Sequence, residues 1–314
     1  MSPGRTDQRS PGIGHQPWKA LATIGAMRFA KGHGTENDFV ILLDPDGSSG
    51  LTADLTARLC DRRAGIGADG VLRAVRAAAS GIAGRANGAP EPAGGAGGPE
   101  WFMDYRNADG SVAEMCGNGI RVFARYLVRH GLADGPEFTV ATRSGPRLIR
   151  MCTDSGVSVD MGAVAVLGPS SAVIAGQTYP GLRVSVGNPH LACPVEGPLA
   201  AFDLSRPPGL DPGQFPEGGN VELLQVTGPA SVAMRVHERG SGETRSCGTG
   251  AVAAAAAAAS ATGSGDGTWD VRVPGGDLKV TLEAGRAWLT GPAVIVAEGE
   301  LDPSWLTGAT PRPS

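Results

Sequence analysis

The chain alternates short apolar, β-prone runs with polar turns, and a helical pattern interrupts this alternation at widely separated places. Runs of this length, bounded by Gly, Pro, Asn and Asp, predict strands. The strand-like runs are MRFAK, FTVAT, RLIRM, GVSVDM, LRVSVG, NVELLQV, SVAMRVHE, WDVRV, LKVTL and PAVIVAE. Many short strands with one long helix, given twice, predict an α+β fold of two similar halves, each a sheet wrapped around its helix.

Three stretches have helical spacing. The first follows Thr52, a predicted N-cap, and places leucines 51, 55 and 59 on one face. The second follows Cys116. It puts Ile120, Phe123, Ala124 and Leu127 on a buried stripe and Arg121, Arg125 and Arg129 on another face. The third is the alanine-rich run after Cys247, which we expect to end near Gly263.

The two long helices begin at similar motifs. NADGSVAEMCGNG leads into one and ERGSGETRSCGTG into the other, so that Cys116 and Cys247 each precede a Gly-x-Gly turn and a helix. The first turn of a helix presents N–H groups without an intrahelical acceptor and the positive end of the dipole. We therefore expect each thiol pKa to be lowered, and we expect the same N–H groups to hold a ligand carboxylate.

A pair of such thiols suits proton exchange at a carbon atom. One thiolate removes a proton from one face, and the opposite thiol returns a proton to the other face, which inverts the stereocentre. N–H groups directed at an α-carboxylate stabilise the carbanion. A role as buried small hydrophobic residues fits Cys60, Cys152 and Cys193 better, because packing alone does not need a Gly-x-Gly turn.

Composition limits the other classes of function. The 314 residues carry a net charge of -4, which gives no general attraction to nucleic acid or to an anionic membrane. Five cysteines without a CxxC pair argue against a disulfide framework or a zinc site and favour a reducing cytoplasm. Residues 1–26 read as a disordered leader without a signal peptide, and residues 77–100 read as a flexible surface insertion without structural elements. No run is long enough to span a membrane.

The lysines argue against a pyridoxal cofactor. The chain has three, Lys19 in the leader and Lys31 and Lys279 in strand-like runs, and none lies in a recognisable cofactor motif. The glycine pairs at residues 65–67 and 117–119 lack the full dinucleotide fingerprint. We therefore expect no cofactor and no metal.

Polar residues near turns supply further candidates. Five asparagines lie beside glycine or proline turns: Asn37, Asn107, Asn118, Asn188 and Asn220. Turn chemistry alone explains such positions as well as a binding role does. His33 and His190 read as turn histidines. Arg239, next to Glu238, offers a bidentate partner for a carboxylate, although a solvated ion pair is the simpler interpretation.

NADGSVAEMCGNG, VGNPH and ERGSGETRSCGTG, with HGTENDF and GIGADG, resemble the diaminopimelate epimerase family over about residues 27–300. The resemblance implies two halves, each a barrel-like sheet around a central helix, with the active site in the cleft between them. It implies one half at residues 27–146 with a returning strand at 293–306, and another at 147–292. It also implies a homodimer that interconverts LL- and meso-diaminopimelate for lysine and peptidoglycan synthesis.

The resemblance assigns roles residue by residue. Cys116 and Cys247 exchange the parts of base and acid, with His190 and Glu238 as supporting catalytic residues. The implied substrate contacts are Asn37, Asn107, Gly117, Asn118, Asn188, Asn220, Glu238, Arg239, Gly248 and Thr249. Many members of the family have glutamine where Gly70 stands, so that contact is not carried over. Thr35 and Glu36 replace a more usual Leu-Gly pair.

Three alternatives stay open at this stage. A proline racemase-like enzyme uses the same two-thiol chemistry, but it has no need of a second set of polar contacts. A thiol redox or metal-binding protein would use the two cysteines differently. A binding protein for diamino acids would hold the substrate without exchanging its α-proton.

Overall fold

The computed structural model describes residues 27–81, 98–154 and 156–308. The leader and most of the insertion lie outside these ranges. Within them the strands are β1 (Arg28–Gly34), β2 (Asn37–Leu43), β3 (Gly70–Arg76), β4 (Trp101–Asn107), β5 (Glu137–Ala141), β6 (Arg147–Met151), β7 (Gly156–Ala163), β8 (Ala165–Ile174), β9 (Gln177–Ser185), β10 (Pro189–Pro194), β11 (Gly209–Leu210), β12 (Asn220–Gly228), β13 (Ser231–Glu238), β14 (Gly242–Thr244), β15 (Gly267–Val273), β16 (Gly276–Glu283), β17 (Arg286–Pro292) and β18 (Val294–Glu300). The helices are α1 (Ala53–Cys60), α2 (Gly117–Arg129), α3 (Gly248–Thr262) and α4 (Pro303–Leu306).

The first half is a continuous sheet from β18 to β7. β18 pairs with β1 and β1 with β2, both antiparallel, and β2 lies parallel to β3. β3 and β4 are antiparallel, β4 lies parallel to β5, and β5, β6 and β7 continue antiparallel. The sheet curves around α2, which packs against β1, β2, β3, β4, β7 and β18.

The second half repeats this order of pairings. β8, β9 and β10 are antiparallel neighbours, and β10 lies parallel to β12. β12 and β13 are antiparallel, β13 lies parallel to β15, and β15, β16 and β17 are antiparallel. As α2 follows β4, so α3 follows β13 and the short β14, and it runs inside the curved sheet. The predicted fold of two similar halves around two helices is confirmed.

Strand β18 completes the first half. Its antiparallel pairing with β1 is equivalent to the antiparallel pairing of β8 with β9 at the start of the second half. β7 joins the halves by pairing with β17. The division at residue 146 stays a prediction, and the pairing of β6 and β7 with the first sheet favours a later division, after Ala163. No helix among the described residues is long and apolar enough to cross a membrane.

The two central helices, α2 and α3, bury side chains of different size. Eleven residues of α3 are buried, eight of them alanine, and the helix ends at Gly263 with a φ of 68°. Alanine has the highest helix propensity and the smallest side chain that still packs, so strands approach the helix from all sides. α2 uses larger residues, with Ile120, Phe123 and Leu127 fully buried.

The spacing places Arg121 on one face with Arg125 and Arg129, but Arg121 is fully buried. Its guanidinium donates to Gly117 O at 3.1 Å and to Thr35 Oγ1 at 3.3 Å. Burial lowers its pKa to about 10. Arg121 therefore ties the start of α2 to the β1–β2 hairpin.

Each strand-like run overlaps a strand, but several elements have no counterpart in the sequence prediction. Among the longer ones are β8, β10 and β17. β8 contains Gly168 and Pro169 beside a register shift, which hides it from a strand pattern. β10 begins at Pro189, inside what reads as a turn. The insertion also starts with a short 3-10 helix at Ala77–Ala79, so the prediction that it contains no structural element is wrong there.

We expect Gly32→Ala to lower the free energy of unfolding by about 1–3 kcal/mol. A Cβ at Gly32 would come within 2.7 Å of both Val122 Cγ1 and Val294 O, where α2, β1 and β18 meet. Urea unfolding measures the change. Gly98→Ala is the control, since its Cβ would meet nothing within 4 Å. Equal stability of both variants would contradict this account of the junction.

Candidate active site

Both motif cysteines are N-caps, as the sequence predicts. Cys116 caps α2 and its Sγ accepts from the N–H of Gly119 at 3.4 Å. Cys247 caps α3 and its Sγ accepts from the N–H of Gly250, also at 3.4 Å. Each cysteine has extended backbone, with φ of -133° and -124°, as an N-cap residue requires. The first turns of both helices therefore surround the two sulfur atoms with N–H groups.

The two helices meet end to end at Gly117 and Gly248. A Cβ at Gly248 would lie 3.0 Å from Gly117 Cα, and a Cβ at Gly117 would lie 3.3 Å from Gly248 Cα. Contacts this close need glycine at both positions. Because Cys116 and Cys247 immediately precede these glycines, the two thiols belong to one junction between the halves.

The expectation of lowered thiol pKa values is wrong. Burial raises the pKa of Cys116 to about 11, and the N–H groups of Gly119 and Asn118 offset only part of this effect. Burial also holds the pKa of Cys247 well above its usual value, and the nearby carboxylates of Glu238 and Glu222 raise it further. Loss of hydration outweighs the helix ends, so both groups are thiols at neutral pH.

On the first-half side, Asn37 links Cys116 to a carboxylate. Asn37 Nδ2 donates to Asp69 Oδ2 at 2.7 Å, which turns Asn37 Oδ1 toward the cysteine. Cys116 Sγ lies 3.5 Å from that oxygen, and Asn118 Nδ2 donates to it at 3.3 Å. Asp69 therefore fixes which atom of Asn37 faces the thiol.

Asn118 also joins the two halves. It is fully buried, and its Nδ2 donates to Ser246 O at 3.0 Å. Ser246 Oγ lies 2.6 Å from Thr35 Oγ1, at the tip of the β1–β2 hairpin. Thr35 and Glu36 have φ of 49° and 61°, a left-handed conformation that is unusual for residues other than glycine. Contacts with the second half hold this strained tip in place.

Around Cys247, Glu238 is the main acidic neighbour. Its carboxyl group hydrogen-bonds with Cys247 and accepts from Thr244 Oγ1. Burial raises the pKa of Glu238 despite these hydrogen bonds. Thr249 Oγ1 lies 3.5 Å from Cys247 Sγ. A carboxyl group and a hydroxyl thus flank this thiol.

His190 is not a turn residue, because it lies in β10 and is fully buried. Its Nδ1 lies 2.7 Å from Glu222 Oε1, and its Nε2 lies 3.0 Å from Asn188 Oδ1. Asn220 Nδ2 lies 3.4 Å from the same Nε2. Asn188 Nδ2 in turn donates to Thr249 Oγ1 at 3.4 Å. His33 likewise lies in a strand, β1.

The side chains of two predicted residues have partners other than the thiols. Arg239 donates its backbone N–H to Asn220 Oδ1 at 2.9 Å, while its half-exposed side chain forms an ion pair with Glu217. Asn107 Nδ2 donates to Ser111 Oγ at 3.0 Å, within its own turn. Both remain predictions as substrate contacts.

Gly70 has a packing reason to be glycine. A Cβ there would lie 2.5 Å from Arg106 O and 2.8 Å from Tyr105 Cε2. Burial raises the pKa of Tyr105 strongly, and the nearby Cys116 and Glu238 raise it further. The tyrosine ring therefore lies near Cys116 and packs beside Gly70.

Sequence reasoning missed several residues that hold the site together, namely Thr35, Asp69, Tyr105, Glu222 and Ser246. One signal for Glu222 was present. It stands inside the apolar run NVELLQV, where an acid is unexpected unless it has a buried partner. Asp69 lies in the quoted GIGADG turn, but nothing in its pattern indicates which residue it contacts.

Solved structures share this two-halved fold. A hydroxyproline epimerase from Agrobacterium vitis matches with a TM-score of 0.58 and 14% identity, covering 91% of this chain and 94% of that one. A probable proline racemase from Agrobacterium radiobacter K84 matches with a TM-score of 0.59 and 13% identity, covering 88% and 93%. At such identities the likeness shows the fold alone.

Sequence comparison gives the family. The diaminopimelate epimerase family model matches residues 29–167 and 182–299, so the chain belongs to this family. A diaminopimelate epimerase from Thermobifida fusca is 57% identical over 88% of this chain and 98% of that protein. One from Rhodococcus opacus is 53% identical over 90% and 99%.

We expect Cys116 in the folded protein to titrate above the ordinary thiol pKa of about 8.5, because burial raises its pKa to about 11. Alkylation by iodoacetamide, followed on the Cys116 peptide by mass spectrometry from neutral to alkaline pH, measures the midpoint. The same peptide in urea-unfolded protein is the control. A folded midpoint at or below the unfolded one would contradict the burial argument.

Proposed function

We propose that this chain interconverts LL- and meso-2,6-diaminopimelate, with Cys116 and Cys247 as the two bases and without a cofactor. The observation that carries the proposal is the meeting of two cysteine-capped helix N-termini at Gly117 and Gly248. The names of the relatives from Thermobifida fusca and Rhodococcus opacus support the substrate.

The reaction moves two protons. One cysteine, as thiolate, takes the α-proton, and the electron pair of the C–H bond stays on carbon and its carboxylate. The other cysteine, as thiol, gives its proton to the opposite face, which inverts the centre. The protonation states of the two sulfurs are then exchanged, so the reverse direction uses the same groups in opposite roles.

The helix N-termini stabilise the negative charge that develops. N–H groups of Gly117 and Asn118 on α2, and of Gly248 and Thr249 on α3, bind the α-carboxylate. Glu238, in contact with Cys247, and His190 support proton transfer. The remaining substrate contacts are Asn37, Asn107, Asn188, Asn220 and Arg239, and the arginine is suited to a second carboxylate.

The product serves lysine and peptidoglycan-precursor synthesis, and the enzyme works in the cytoplasm. Five free cysteines, two of them needed as thiols, support a reducing compartment. Fractionation of cells, with detection by a specific antibody, tests the location. Recovery with the secreted proteins would contradict it.

We expect the α-proton signal of LL-diaminopimelate to disappear in D₂O as meso product forms, when followed by proton NMR. Cys116→Ala and Cys247→Ala should each slow exchange on the order of 10²–10⁴-fold, since each removes an acid–base group. Cys152→Ala is the matched control and should keep the wild-type rate, because Cys152 lies just after β6, beside Asp154 and Arg125.

The other outcomes decide between the alternatives. Exchange that survives either active-site substitution would sink the two-thiol mechanism. Exchange with proline but not with diaminopimelate would identify a racemase. Binding of diaminopimelate without any exchange would identify a non-catalytic binding protein, and activity lost on chelation would identify a metal-dependent one.

We also propose that the enzyme is a homodimer that pairs through β18. Among the described strands β18 pairs only with β1, and its Val296 is 62% exposed. A free edge with exposed apolar side chains favours pairing with a second copy.

We expect Val296→Lys to lower the mass measured by sedimentation equilibrium from dimer toward monomer. Val112→Lys is the control, since Val112 is also exposed, at 55%, but lies in an isolated bridge with Arg106 and not in β18. A monomeric wild type would refute the proposal.

A further inference from the structure

Glu222 is a buried carboxylate that neither the family motifs nor the proposed mechanism uses. It lies on β12, is fully buried, and faces the first turn of α3. A Cβ at Gly250 would come 2.8 Å from Glu222 Oε1, so glycine at that position lets the helix approach the acid. The first turn of α3 and the imidazole ring of His190 therefore both lie against this carboxyl group.

A continuous chain of side chains runs from this acid to a catalytic sulfur. Each neighbouring pair lies within hydrogen-bonding distance, at 2.7, 3.0, 3.4 and 3.5 Å in order. The members are Glu222, His190, Asn188, Thr249 and Cys247. The first two are fully buried, so water does not compete for them.

The chain has a defined direction at its start. A carboxylate only accepts, so Nδ1 of His190 carries the hydrogen that Glu222 Oε1 receives. This bond fixes the plane of the imidazole ring and places Nε2 3.0 Å from Asn188 Oδ1, which accepts from Nε2 in the form of the ring where both nitrogens carry a hydrogen. The amide of Asn188 is thereby held where its Nδ2 reaches Thr249 Oγ1.

A contribution to folding stability does not explain why a buried acid stands at position 222. Replacing a buried ion pair by apolar residues is often neutral or stabilising. Moreover, Glu222 Oε2 has no hydrogen-bond partner among the described residues, which adds an uncompensated desolvation cost. A role in fixing other groups accounts for keeping it.

We propose that Glu222 is a positioning residue that fixes Cys247 through three intervening side chains. Cys116 is fixed by the shorter link through Asn37 to Asp69. Each thiol is thus anchored to a carboxylate of its own half. The proposal rests on the proposed two-thiol reaction.

The test is a double-mutant cycle on proton exchange of diaminopimelate. We expect Glu222→Leu to lower kcat on the order of 100-fold, as a misplaced catalytic group does. Glu222→Gln keeps an acceptor oxygen for Nδ1 of His190 and therefore keeps the ring in place, so it should lower kcat clearly less than Glu222→Leu does. In a Thr249→Val background, where the chain is already cut, Glu222→Leu should lower kcat by less than about threefold, because coupled residues are not additive.

Leu224→Ala is the matched control for general destabilisation. Leu224 lies on the same strand, is 1% exposed and takes no part in the chain. We expect it to lower the unfolding midpoint without a comparable fall in kcat at a temperature where it is folded. If Glu222→Leu does not fold, Glu222→Asp, which withdraws the carboxylate by one methylene group, enters the same cycle.

Three results would overturn the proposal. They are a kcat for Glu222→Leu within about twofold of wild type, an equal loss in the wild-type and Thr249→Val backgrounds, or a Glu222→Gln variant as slow as Glu222→Leu. A wild-type protein without any exchange would instead refute the proposed function.

Discussion

Two helix N-termini that meet inside the protein are the constraint on which the rest of the structure depends. α2 and α3 direct the positive ends of their dipoles at one another, and Gly117 and Gly248 bring the backbones into contact. Each end carries roughly half a positive charge, so the arrangement is unfavourable unless negative charge lies at the junction. A substrate carboxylate and a thiolate both supply it. The two positive helix ends, which repel each other, therefore favour binding of an anionic ligand and stabilise the negative charge that develops in the reaction.

The meeting of two helix ends requires both halves, which explains the contacts that lock them together. The sheets merge through β7 and β17, but that pairing lies along their sides. At the junction itself Asn118 donates to Ser246, and Thr35 reaches the same serine. Thr35 keeps a positive φ without being glycine. The second half compensates this local strain, which is how strained backbone persists at functional sites.

The parts of this architecture that depend on local rules were predictable. Gly-x-Gly after Cys116 and Cys247 encodes a helix start, and the alanine run after Cys247 encodes a buried helix. Tertiary contacts decide the rest. His190 reads as a turn residue because Pro189 precedes it, yet parallel pairing of β10 with β12 places it in a strand beside Glu222. Arg121 fits a polar face by spacing, but a sheet closes over that face and buries it.

Two opposite effects act on the pKa values of the thiols: the helix N-termini lower them and burial raises them. A helix N-terminus stabilises an anion by roughly 0.3–2 kcal/mol, whereas full burial shifts a pKa by up to about 3–5 units, or roughly 4–7 kcal/mol. Burial therefore prevails at both cysteines. It also raises the pKa of Glu238, which contacts Cys247. The two pKa values are both moved upward, and a proton passed from the thiol to the carboxylate would remove the negative charge that opposes the thiolate. The shared, dry environment thus raises the pKa of the thiol and that of the neighbouring carboxyl group together, and Glu238 is the acidic group in direct contact with Cys247.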